Sequence, residues 1–152
     1  MLSQMPLRLG GSHKSDVRTQ FAAMCYRYEH SKLQILLVTS RTRRRWIVPK
    51  GWPMDGKTAS GSAAQEAWEE AGAVGRVDGR PLGIYSYVKE TGLDAGMPCV
   101  VMVYALKVKS LAKKFPEVGQ RKRQWVSRKR AAKLVAEPEL ARILRDFDPR
   151  HL

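Results

Sequence analysis

Glu66, Glu69 and Glu70 fall at i, i+3 and i+4 of a helix-forming run, residues 63–71, that Gly72 is placed to end. Carboxylates so spaced share one face of a helix. Like charges four residues apart destabilise an isolated helix by about 0.2–0.5 kcal/mol, so the pattern is poor helix design unless a cation sits against it. Magnesium prefers oxygen ligands and keeps several waters, so a few carboxylates together with substrate phosphates suit it. A solvated acidic face is the alternative. The chain has 28 Lys and Arg against 14 Asp and Glu, yet no Lys or Arg occurs between positions 58 and 75, which favours the cation site.

Around this helix the 152 residues divide into short elements, enough for one domain with one core. Residues 1–18 mix Gly, Ser, Met and basic side chains without a period and read as a flexible tail, with a single domain over 19–152. Apolar runs at 20–28 and 33–39, separated by Glu29-His30-Ser31-Lys32, predict a hairpin. A basic turn at 41–45 leads to a short strand, Trp46-Ile47-Val48, ended by Pro49. Residues 51–61 form a loop rich in Gly, Pro and Ser, and Ser62 with Gln65 matches a capping box for the helix. Strands are expected at 82–88, 99–108 and 124–127, followed by helices at 128–136 and 139–147 divided by Pro138. Strands flanked by helices without regular alternation indicate an α/β fold with a mixed sheet.

The formal net charge of +14 attracts anions without naming them; a solvated basic surface is the bland alternative. Cys25 and Cys99, each within an apolar segment, offer neither metal-ligand spacing nor a disulfide framework and read as buried thiols. No apolar run approaches the roughly 20 residues that span a bilayer, and positions 1–14 lack the apolar core of a secretory signal, so no membrane role and a cytoplasmic location are expected.

From Gly51 the chain runs five residues to position 57, seven more to Gln65, and then Glu66-Ala67-Trp68-Glu69-Glu70-Ala71-Gly72-Ala73. This stretch resembles the Nudix box, G-x5-E-x7-R-E-U-x-E-E-x-G-U with U apolar, keeping Gly51, Glu66, Glu69, Glu70 and Gly72. Lys57 stands where the pattern has Glu, and Gln65 where it has Arg. The two departures lose opposite charges and read as one supporting contact rewritten; had the missing Glu been the base, the chain would be weakly active or inactive. Arg45-Trp46-Ile47-Val48-Pro49-Lys50-Gly51, Gly83-Ile84-Tyr85 and Arg121-Lys122-Arg123-Gln124-Trp125 are similar to the diphosphoinositol polyphosphate phosphohydrolase branch of that family.

The resemblance implies a Nudix-type α/β/α sandwich in which Glu66, Glu70 and the Lys50 backbone carbonyl hold Mg2+, with Mn2+ the substitute, and Glu69 acts as general base. Divalent ions neutralise bridging phosphates and acidify water while a nearby carboxylate takes the proton. Arg18, Arg41, Arg43, Lys89, Arg121 and Arg123 are the candidates for a basic substrate wall, each with a solvated surface charge as its alternative. Trp46, Trp52 and Trp125 are candidate stacking platforms, or simply core and wall packing. The implied partner is a polyphosphorylated small molecule: a dinucleoside polyphosphate, an inositol pyrophosphate or linear polyphosphate. Removal of pyrophosphate from an RNA 5′ end, and a non-catalytic phosphate-ligand-binding module, are the competing readings. Oligomeric state is left open.

Overall fold

The computed structural model describes residues 18–152, so the tail expected over 1–18 lies, Arg18 apart, outside the described residues. The expected hairpin forms from β1 (Thr19–Glu29) and β2 (Lys32–Thr39), joined by His30 and Ser31 alone. Both turn residues have positive φ, 49° and 64°, the conformation of a type I′ turn whose twist matches that of the strands. Two short strands follow, β3 (Trp46–Ile47) and β4 (Lys50–Gly51).

Helix α1 (Ala59–Ala71) begins earlier than expected. Its cap is Thr58, whose hydroxyl accepts from the Gly61 N–H at 2.9 Å, and not Ser62. Ser62 is fully buried inside the helix, where its Oγ accepts from the Met54 N–H at 3.2 Å and pins the preceding loop. Gly72 ends α1 in the left-handed conformation, φ 66°, with its N–H bonded back to Trp68.

β5 (Ala73–Val88) is more than twice the expected length and pairs with β6 (Pro98–Leu111). The unexpected part, residues 73–81, contains Gly75, Gly79 and Pro81, which argue against a central strand. The strand survives because it lies at the sheet edge and shifts register at Val74/Gly75, Val77/Pro81 and Pro81/Gly83. β7 (Arg123–Val126) then leads to α2 (Arg128–Leu134), capped by Ser127. In α3 (Pro138–Asp146) the proline occupies the first turn, where its missing N–H is harmless.

The sheet runs β3-β2-β1-β6-β5, with β4 pairing β1 and β7 pairing β2. Only β1 and β6 are parallel among the described pairs, so the sheet is mixed as expected. Strand alternation sends Ala22, Met24 and Tyr26 toward Leu140, Leu144 and Phe147 of the α3 region, and Phe21, Ala23 and Cys25 toward α1. Helices therefore cover both faces. On α1 the stripe Ala63, Ala67 and Ala71 recurs every four residues and lets the helix lie close to the sheet. Each fully buried leucine, such as Leu140 or Leu144, contributes about 1.5–3 kcal/mol to this core. Among the described residues no helix is long and apolar enough to cross a membrane.

Candidate active site

The loop after β2, strands β3 and β4, one face of α1, the end of β5 and the segment before β7 enclose a cavity of about 550 Å³. Lys50, Gly51, Glu66, Glu70, Arg41, Arg43, Lys89 and Arg121 all line it, so most of the expected site residues converge.

Glu66 and Glu70 form its acidic wall. They stand one helical turn apart, and the Glu66 carboxylate occupies the space that a side chain at position 51 would fill, which is why that position needs glycine. Burial, and then the neighbouring Glu70 charge, push the Glu66 carboxyl up to about 9. Burial also raises Glu70, against the opposing pull of Arg121. Glu70 Oε1 is buried without a hydrogen-bond partner. Two crowded carboxylates and an orphaned acceptor fit a divalent cation, which would supply the missing positive charge. Among the described residues no three His, Cys, Asp or Glu side chains are already gathered as a cation cage. Two carboxylates with a main-chain oxygen and substrate phosphates suit magnesium, which binds few protein groups.

Much of the remaining lining is basic. Arg43 and Arg45 reach Glu90 at 3.4 and 2.8 Å across the mouth, and Lys89 lies 3.7 Å from Asp94. Burial lowers the Lys50 ammonium, which sits 4.9 Å over the Tyr87 ring. Trp46 and Trp52 line the cavity, whereas Trp125 lies outside it under the Arg27 guanidinium, 4.2 Å away.

Other expected residues lie off the cavity lining. Glu69 is not among the lining side chains, because one residue before Glu70 turns its side chain about 100° around the helix. Arg18 is exposed and off the cavity; its carbonyl accepts from the Val100 N–H where β1 joins β6. Arg123 is not part of the basic wall, since its Nη1 donates to the Ala71 carbonyl at 2.7 Å and its guanidinium lies 5.1 Å over Phe115. Lys57 is exposed, and no hydrogen bond or ion pair joins it to Gln65 among the described residues; the loop is held instead by Ser62 and by the Lys57 N–H bonded to Met54. Sequence reasoning missed Glu117, Arg45 and Glu90. For Glu117 the one available signal is its four-residue spacing from Arg121, which it contacts at 3.2 Å. Cys25 and Cys99 are buried free thiols as expected, and burial pushes Cys25 up to about 12.

The sequence model of the NUDIX domain matches residues 18–147. Nudix hydrolase 13, mitochondrial, of Arabidopsis thaliana is 33% identical over 122 residues, covering 77% of this chain and 60% of that protein. Human diphosphoinositol polyphosphate phosphohydrolase 3-alpha is 32% identical over 117 residues, covering 75% of this chain and 66% of the relative. The chain thus spans about 60% of the length of the first of these curated relatives. In fold it is similar to the crystal structure of the C. elegans Ap4A hydrolase, with a TM-score of 0.64 at 20% identity over 85% of this chain and 94% of the other.

Proposed function

The chain belongs to the Nudix family, and from that membership we propose that it is a Mg2+-dependent hydrolase cutting a phosphoanhydride linkage in a highly anionic, polyphosphorylated small molecule. The observation that carries this reading is the cavity itself, whose lining combines Glu66 and Glu70 with Arg41, Arg43, Arg45 and Lys89. A polyphosphate chain needs both surfaces: cations along its length, and a carboxylate-held metal at the bond that breaks. Inositol pyrophosphates, the class in the name of the human relative, dinucleoside polyphosphates and linear polyphosphate all have this form.

Glu66, Glu70 and the Lys50 carbonyl would hold Mg2+, with Mn2+ as the substitute. When bound, such an ion would supply charge neutralisation to the substrate's phosphates and would acidify water. Arg41, Arg43 and Lys89 bind and orient the outer phosphates, so that the attacking oxygen and the leaving phosphate lie in line. Glu69 is close enough to Glu66 for its charge to raise that carboxyl. It takes the proton of the attacking water once its side chain swings toward the cavity, and attack at phosphorus expels a phosphate.

The test is a panel of diadenosine polyphosphates, inositol pyrophosphate, polyphosphate, ADP-ribose, nucleoside triphosphates and triphosphorylated RNA, incubated with Mg2+ and scored by product. Turnover is expected on the polyphosphorylated small molecules; cleavage of RNA alone, or binding without cleavage throughout, overturns the reading. Glu70→Gln should abolish turnover while keeping the melting temperature. Glu69→Gln should lower kcat roughly 100- to 10,000-fold with Mg2+ binding retained. Wild-type rates in either variant remove that residue from its assigned role.

A further inference from the structure

Helix α1 carries no cation of its own, since neither Lys nor Arg occurs between positions 58 and 75, yet it buries the Glu70 carboxylate. A buried charge left unpaired is costly, so a partner has to come from elsewhere in the chain. The structure supplies Arg121, whose side chain is only 9% exposed and whose Nη2 lies 3.8 Å from Glu70 Oε2.

Arg121 is itself held by three hydrogen bonds to two residues. Its Nη1 donates to the Thr39 carbonyl at 3.1 Å, and its Nε and Nη2 donate to Glu117 Oε1 at 3.3 and 3.2 Å. The next residue is locked in place as well, because the Lys122 N–H donates to Thr39 Oγ1 and the Lys122 carbonyl accepts from the Thr39 N–H, each at 3.0 Å. A planar guanidinium fixed by such bonds holds its remaining N–H donors in set directions, and Nη2 lies toward Glu70.

The carboxylate is divided accordingly: Oε2 faces Arg121, and Oε1 is the buried oxygen without a hydrogen-bond partner. We infer that Arg121 is a positioning residue that holds Glu70 with Oε1 free for a divalent cation, and that Glu117 keeps Arg121 in that pose. The inference rests on the proposed metal-dependent reading of the same site. It competes with the expectation that Arg121 grips substrate phosphates, because three of its five N–H donors already go to protein oxygens. Groups that orient metal ligands typically change metal affinity 10- to 100-fold when removed.

The experiment is calorimetric titration of the substrate-free protein with Mg2+, and in parallel with Mn2+, for the wild type and for Arg121→Gln, Arg121→Lys, Glu117→Gln and Glu70→Gln. Circular dichroism and thermal melts accompany each variant. Arg121→Gln should weaken metal binding roughly 10- to 100-fold, Arg121→Lys should recover part of the loss, and Glu70→Gln should lose binding. Glu117→Gln keeps the guanidinium but loosens it, so it should give a smaller loss in the same direction; it decides the matter if Arg121→Gln fails to fold. KM for diadenosine tetraphosphate and for ADP-ribose should move by the same factor in Arg121→Lys. Unchanged metal affinity in Arg121→Gln and Glu117→Gln, with Glu70→Gln defective, overturns the positioning role alone. A KM increase confined to the substrate with more phosphates also overturns it and returns Arg121 to substrate binding. Wild-type protein that binds neither metal, or Glu70→Gln that binds as wild type does, overturns the metal-dependent reading and this inference with it.

Discussion

Glu66 and Glu70 oppose each other at close quarters, and the cost shows in the protonation of Glu66. Its carboxyl is pushed from an ordinary 4.5 to about 9, first by burial and then by Glu70. A carboxyl raised in the folded state keeps a proton that the unfolded chain surrenders above 4.5. Its contribution to stability is therefore complete below about 4.5 and is lost as pH rises through about 9. Thermal melts in EDTA should show this decline, and Glu66→Gln should flatten it. Because the metal competes with that proton, the melting-temperature gain on adding Mg2+ should grow from pH 6 to pH 9 in the wild type. A gain independent of pH would mean that Glu66 is not a metal ligand.

At the scale of elements, α1 is a helix whose charges are balanced from outside. Arg121, at a bend just before β7, and Arg123, the first residue of β7, both turn their side chains toward α1. Arg121 meets Glu70, and Arg123 meets the Ala71 carbonyl at the helix C-terminus. A cation there satisfies an orphan carbonyl and complements the helix dipole, a role that no basic residue of the last turn can fill. Arg123→Ala should therefore destabilise the fold by about 1.5–3 kcal/mol, measured by urea denaturation, while KM shifts little. An unchanged midpoint with a raised KM would restore Arg123 to the substrate wall.

Over the whole molecule the net charge is +14, and the cavity lining mixes carboxylates with Arg41, Arg43, Arg45 and Lys89. Such a field steers polyanions toward the cavity, and salt screens it over about 10 Å at 0.1 M. Arg41, Arg43 and Arg45 are exposed at the mouth, although Glu90 already engages two of them. Raising NaCl from 50 to 500 mM should increase KM several-fold for polyphosphate and much less for ADP-ribose, with kcat nearly constant. Equal salt effects on both would place the attraction outside the cavity.

Local features were legible in the sequence because they depend on neighbours. The shared face of Glu66 and Glu70 follows from helical spacing, the stop at Gly72 from its tolerance of positive φ, and the hairpin from alternating apolar runs around His30 and Ser31. The helix start is not legible locally because Thr58, Ser60 and Ser62 all have capping chemistry and only packing selects among them; Ser62 lies in the core. Residues 73–81 of β5 are hidden because a strand with Gly75, Gly79 and Pro81 is viable only at an edge, a position that no local pattern records. The same holds for the arginines. Arg123 finds Ala71 across 52 positions and Arg121 finds Thr39 across 82, so their destinations are set by how the sheet brings distant segments together. Sequence alone determined which residue types the site holds; the tertiary structure decided which of them face the cavity, because a side chain's partner is fixed by proximity in space and not by position in the chain.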